Sequence, residues 1–368
     1  RVGRPPLADF AALTLALRGV QPTYQAPPVY LLVPDSNRLG PRYGDVDNAL
    51  ARAIETLHGL HVPYALLHER DLRIPTEAEA ILWPVPYCPS DDAFSEVAAW
   101  VKAGGRLYLS GDVGFDEQRH YTRGARLASL GLPATGGRDP FGQNDAQAAA
   151  TTVRAGAGTV TFVPSPVEMT AAGRLPELYA AFLKDAGVAR WAVTPDVADV
   201  QVGRIASRDG STAWVAASWG ADRDVTVGGQ TLKVARDDLG LVQVGGDGAV
   251  RTVYAQGNVA GVATADGPFG AMTGTAGDLR AADSLLLMPL GAKSPALTTR
   301  RAWQAPVASG GEIRDGAWHE LARVPVKAEG GQLRLTLGED YLNTYAVVAE
   351  PAALTAATQR LLALVRLR

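Results

Sequence analysis

Apolar residues fall in two textures along this chain. Over residues 29–189, short unbroken apolar runs alternate with stretches whose apolar positions recur every three or four residues. From Arg190 onward, short β-type runs are separated by glycine-rich turns. The first texture predicts strands alternating with helices, and so a doubly wound parallel sheet. The second predicts antiparallel strands packed as one or two β-sandwiches.

The clearest unit runs from Ala80 to Leu130. Ile81-Leu82-Trp83-Pro84 suits a strand buried on both faces. Ser90-Asp91-Asp92 can cap a helix, whose buried face is Phe94, Val97, Ala98 and Val101. Gly104-Gly105 stops that helix and Leu107-Tyr108-Leu109 makes the next strand, which completes a βαβ crossover. Further strands are expected at Val29–Val33, His61–Leu67 and Gly158–Val163, and helices at about Asp45–Leu60 and Leu175–Ala186, with a polar loop over 136–147.

The boundaries follow from these textures. Residues 1–28 read as a helix and Pro-rich linker, 29–189 as the α/β domain, 190–260 as a β module, 261–350 as a second β module, and 351–368 as a terminal helix. The division near 260 rests on Gly257–Gly277, which is poor in large apolar residues.

Composition narrows the class. With 47% apolar and 20% charged residues the chain is a folded protein, and 368 residues favour two or three domains. A net charge of -3 without a basic run gives no footprint for nucleic acid. No apolar run is long enough for a membrane span. The single cysteine, Cys88, excludes a disulfide framework and a thiolate zinc cluster, and leaves the compartment open between secreted, periplasmic and cytoplasmic. The chain begins at Arg1 without Met, which leads us to expect processing or a segment upstream.

Candidate chemistry gathers after the strand that ends at Leu109. A serine nucleophile elbow needs glycine two residues to either side, and around Ser110 those positions are Tyr108 and Asp112. Cys88, between Tyr87 and Pro89, has no histidine placed to activate it. The five histidines show no metal-ligand spacing; Gly245-Gly246-Asp247-Gly248 follows a strand but leads to another, and Gly156-Ala157-Gly158 precedes its strand, so neither opens a helix as a phosphate loop does. No catalytic residue, metal or cofactor is therefore assigned. What remains are the carboxylates Asp112, Asp116 and Glu117 with His120, and Glu168 after the next strand. These are either solvated loop groups or contacts for a sugar or partner at the carboxyl edge of the sheet, where ligands of such sheets sit. Trp214 and Trp219 have the chemistry to stack on a sugar, five residues apart on opposite strand faces, with core packing expected of at least one.

Several of these segments together resemble a known family. Val29-Tyr30-Leu31-Leu32-Val33, Leu60-His61-Val62-Pro63-Tyr64, Ile81-Leu82-Trp83-Pro84 and Val97 to Leu107 resemble the glutamine-amidotransferase-like, or trimerisation, domain of family 42 β-galactosidases. Gly156–Glu168 and Leu178–Gly187 look like its closing strand and helix. The resemblance covers about residues 29–189 and implies a flavodoxin-like, class I amidotransferase-like fold followed by β-sandwich material. In such enzymes the domain follows a catalytic (β/α)8 barrel that carries the two glutamates. Residues before Val29 are too few for a barrel of about 200 residues or more, so no catalytic glutamate carries over. The amidotransferase cysteine is also absent at Ser110-Gly111.

The resemblance thus implies a non-catalytic C-terminal region of a multidomain glycoside hydrolase. That region would shape a sugar site and build a homo-oligomer, with carbohydrate and an upstream barrel as partners. The alternative is a stand-alone module that binds carbohydrate or protein without turnover. The contact candidates are Asp112, Asp116, Glu117, His120 and Trp214.

Overall fold

A computed structural model of the chain describes residues 13–14, 16–17, 20–38, 43–133, 145, 147–259, 261–267, 269–273, 277–288, 292–337 and 345–365. The chain divides into two compact units, Ala26–Trp191 and the β-rich remainder, Ala192–Arg368, to which the segment up to Gln25 belongs.

In the α/β unit, β1 (Val29–Val33), β2 (Tyr64–His68), β3 (Ala80–Trp83), β4 (Arg106–Ser110), β5 (Thr151–Ala155) and β6 (Gly158–Val163) form one sheet in the order β2-β1-β3-β4-β6-β5. All neighbours are parallel except β5, which returns antiparallel to β6. Successive strand side chains point to opposite faces, and both faces are buried here. Val29, Leu31, Leu82 and Tyr108 pack with α1 (Tyr43–Gly59) on one side. Tyr30, Leu32, Ile81, Trp83, Leu107 and Leu109 pack with α2 (Asp91–Lys102) on the other. This is why the strands read as continuous apolar runs rather than alternating ones.

Three short helices complete the unit: α3 (Ala125–Ser129), α4 (Val167–Thr170) and α5 (Leu175–Asp185). The helix α2 starts where Ser90 accepts a hydrogen bond from the Ala93 amide, at 3.2 Å. Its last turn lies so close to β6 that a Cβ on Gly158 would collide with the carbonyls of Val101 and Gly105. Two expectations are corrected here. The second strand begins at Tyr64 rather than His61, because His61 takes a left-handed conformation (φ 53°) before Pro63. The antiparallel strand β5 was not foreseen.

In the β-rich unit, nine strands form one sheet in the spatial order Ala317–Val324, Val307–Arg314, Tyr345–Ala349, Ser284–Met288, Phe269–Thr273, Val250–Ala255, Asp238–Val244, Thr212–Ser218 and Val200–Ala206. Three- and four-stranded antiparallel sheets accompany it. The modules expected over 190–260 and 261–350 thus share a sheet. Phe269–Thr273 lies within the expected divider and is buried at every position, because Gly270 and Ala271 allow its neighbours to approach without large side chains. The terminal helix α6 (Leu354–Val365) places Leu354, Ala357 and Leu361 against this sheet. No helix among the described residues is long and apolar enough to cross a membrane.

Candidate functional site

The carboxyl ends of β1, β2, β3, β4 and β6 converge on one edge of the α/β unit, and most of its buried polar groups lie there. The loop after β4 holds the four sequence candidates from this region. It is a closed hairpin: Phe115 and Tyr121 form an antiparallel bridge, and the Thr122 amide donates to the Gly114 carbonyl at 2.7 Å. Asp116 organises the tip, accepting from the His120 amide at 2.7 Å and lying 3.3 Å from His120 Nδ1. The His120 amide hydrogen bond holds the Asp116 carboxyl below the ordinary carboxylate range. Arg119 stands in a left-handed conformation at the turn (φ 66°). Asp112 is buried at the base, its carboxylate packed against Gly114 beside the Tyr121 ring. Tyr87, Phe115 and Tyr121 stack in tilted pairs, with centroids 4.9 and 5.4 Å apart.

One buried cation anchors this hairpin. Arg126 on α3 donates to the carbonyls of Pro89 at 2.9 Å and Phe115 at 2.7 Å, and to the Asp91 carboxylate at 2.6 Å. It ties the hairpin to the start of α2.

Between that start, the hairpin tip and the ends of β1 and β2 lies a cleft of about 930 Å³. Its lining includes Asp35, Glu69, Arg70, Arg73, Ser90, Asp92, Glu96, Glu117 and Arg119. Of the sequence candidates, Glu117 alone lines it. Glu69 is its most perturbed group. Only 4% exposed, it accepts from Trp83 Nε1 at 3.2 Å and from the Ser36 amide at 3.1 Å. Burial pushes its pKa from 4.5 up to about 7, against the pull of those hydrogen bonds. Asp35 beside it receives the Glu69 amide at 3.1 Å and His68 Nδ1 at 3.2 Å. The position of Glu69 directly after an apolar strand was the available signal, but which strand ends meet is a property of the topology.

Glu168, expected on the sheet edge, is instead sealed in the core. Ser110 Oγ donates to it at 2.5 Å and the Tyr179 hydroxyl at 2.9 Å. Burial raises the pKa of this sealed carboxyl, against the pull of those hydrogen bonds.

The groups suited to nucleophilic chemistry are each occupied or sealed. Ser110 Oγ also accepts from the Val85 amide at 3.2 Å, and Val85 has an unusual positive φ of 49° for a β-branched residue. Gly111 makes the turn after β4 (φ 77°) with no side chain to present. Cys88 is buried with its Sγ 3.7 Å from the Ser36 carbonyl, and burial pushes the thiol up to about 11. Among the described residues no cluster of three or more His, Cys, Asp or Glu could hold a metal ion.

In the β-rich unit, Trp214 is not open. The Arg204 guanidinium lies over its ring, 5.9 Å from the centroid, and Gly228 presses against its indole nitrogen.

Fold and site together define a mixed α/β and antiparallel-β protein with a polar cleft at its parallel sheet's carboxyl edge. No family model matches the chain, and no curated protein matches it. Among solved structures, it is similar to a GH42 β-galactosidase from G. stearothermophilus at 12% identity, covering 60% of this chain and 40% of that one, with a TM-score of 0.47. It is similar to the cold-adapted β-galactosidase from Rahnella sp. R3 at 16% identity, covering 61% of this chain and 42% of that one, TM-score 0.47. It is also similar to α-L-fucosidase isoenzyme 2 from Paenibacillus thiaminolyticus at 12% identity, covering 92% and 51%, TM-score 0.40. The chain spans less than half the length of either galactosidase.

Proposed function

We propose that this chain is a carbohydrate-contacting region of a glycoside-hydrolase-like protein, with no hydrolytic centre of its own. The sugar would be met by the cleft at the carboxyl edge, and the region would also build a homo-oligomer beside a catalytic barrel supplied from elsewhere. The observation that carries the reading is the cleft lining. Carboxylates and guanidiniums both line it, the groups that pair with vicinal hydroxyls, since a carboxylate accepts from two and a guanidinium donates to two. The resemblance of residues 29–189 to a non-catalytic domain supplies the ligand class. The strand order and the helices on both faces are compatible with the flavodoxin-like, amidotransferase-like arrangement which that resemblance implies.

The test is titration of the isotope-labelled chain with methyl β-galactoside, beside an assay of nitrophenyl β-galactoside hydrolysis. Shifts confined to the cleft, weakened in Arg119→Ala and Glu117→Ala, with no turnover by the chain alone, are expected. Turnover that disappears in Ser110→Ala or Cys88→Ala would overturn the reading, and so would a cleft silent to every glycoside. A native mass well above the 38.6 kDa of one chain is the expected sign of oligomerisation.

A further inference from the structure

The tryptophan that the β-rich unit leaves open is Trp219. It is 54% exposed at the start of the turn after Thr212–Ser218. Tryptophan is highly buried on average, so an indole held in water on an ordered turn calls for an explanation. The turn's hydrogen bonds are made without the indole. The Trp219 amide donates to the Asp199 carbonyl at 2.9 Å, the Ser218 hydroxyl to the Ala221 carbonyl at 2.6 Å, and the Asp237 amide to the Ser218 carbonyl at 2.7 Å. Of these bonds only the first involves Trp219, through its backbone amide, and none uses the indole.

A charged pair lies beside this turn, between the residue before the strand Val200–Ala206 and the first residue of the strand Arg223–Val227. Arg223 Nη2 donates to Asp199 Oδ2 at 2.7 Å, and the two side chains are 32% and 28% exposed. The carboxylate of Asp199 occupies the space a side chain on Gly220 would need, so it stands against the residue that follows Trp219. Partial burial and mutual pairing hold both groups in place, and each retains hydrogen-bonding capacity toward solvent.

We propose that Trp219, Asp199 and Arg223 form a sugar-binding ledge for a neutral pyranose. The apolar C–H face of the ring would lie on the indole, and adjacent hydroxyls would donate to Asp199 and accept from Arg223. The pair is net neutral, which favours an uncharged sugar over a uronic acid or an amino sugar. This site belongs to the other compact unit from the cleft and does not depend on the function proposed for the cleft.

The test is titration of the labelled full chain with methyl β-galactoside and with methyl β-glucoside, observed at the indole N–H signals of its seven tryptophans. The signal missing from Trp219→Phe identifies Trp219. That signal is expected to shift and saturate with at least one glycoside. Trp219→Ala should weaken binding at this site by about tenfold, and Trp219→Phe by less. Asp199→Asn should weaken it too, with an unchanged circular dichroism spectrum. If cleft signals move while the Trp219 signal stays still, this inference falls and the cleft reading stands. If neither moves, both fall. If Trp219→Ala leaves sugar binding intact but abolishes self-association or binding to phospholipid vesicles, the ledge is a contact for protein or membrane and the inference is overturned.

Discussion

Glu69 makes the stability of the α/β unit depend on pH in a direction that can be stated in advance. Its carboxyl is 4% exposed and has a pKa raised by burial from 4.5 to about 7. Between those values the folded state holds a proton that the unfolded chain has released. Stability is therefore greatest below about pH 4.5, declines as pH rises through the window, and has lost the whole contribution above about pH 7. At about 1.4 kcal/mol for each tenfold change in proton affinity, the span from 4.5 to about 7 amounts to about 3 kcal/mol. Glu69→Gln removes the titration and keeps the shape. Its amide can accept from Trp83 Nε1 or from the Ser36 amide but not from both, a constant penalty of about 1–3 kcal/mol. The variant should thus be less stable than the parent at pH 4.5, and the gap should close by about 3 kcal/mol by pH 8. Urea unfolding across this range measures the difference, and taking the difference cancels the titrating groups that do not interact with Glu69. Hydrogen exchange in β3 assigns it to the α/β unit, since two compact units need not unfold together. Parallel stability curves for parent and variant would refute the argument.

Two further perturbations test the frame around the cleft. Arg126→Met keeps the aliphatic stem but deprives the Pro89 and Phe115 carbonyls of their donor, and should cost about 2–4 kcal/mol. It should also speed hydrogen exchange over residues 112–122, and unchanged exchange there would show that the hairpin holds itself. Cys88, buried and with a thiol near 11, should react with a disulfide reagent at pH 8 only at the rate at which the unit opens, and fully once urea unfolds it. Labelling as fast in native buffer as in urea would restore it as a candidate nucleophile.

What was legible in the sequence was whatever local physics determines. Val29–Val33 and Ala80–Trp83 stood out because strands buried on both faces cannot alternate, and Pro34, Pro84 and Gly104-Gly105 end their elements abruptly. Thr151–Ala155 escaped notice because an edge strand with exposed threonines carries no apolar run. Phe269–Thr273 escaped because a central strand can be built of small residues when its neighbours supply the bulk. The site divides along the same line. Asp112, Asp116, Glu117 and His120 are close in sequence and share one hairpin, so proximity sufficed to group them, yet only Glu117 of these four lines the cleft. Asp35, Glu69 and Arg119 meet only because a parallel sheet brings the ends of separate strands to one edge. Glu168 also comes after a strand of this sheet, but on α4, and is turned inward, where Ser110 and Tyr179 donate hydrogen bonds to it. Glu69 follows β2 immediately, whereas Glu168 stands five residues beyond β6, on α4. What separates a cleft acid from a core acid is the side chain that happens to stand opposite, and that is decided by the fold as a whole.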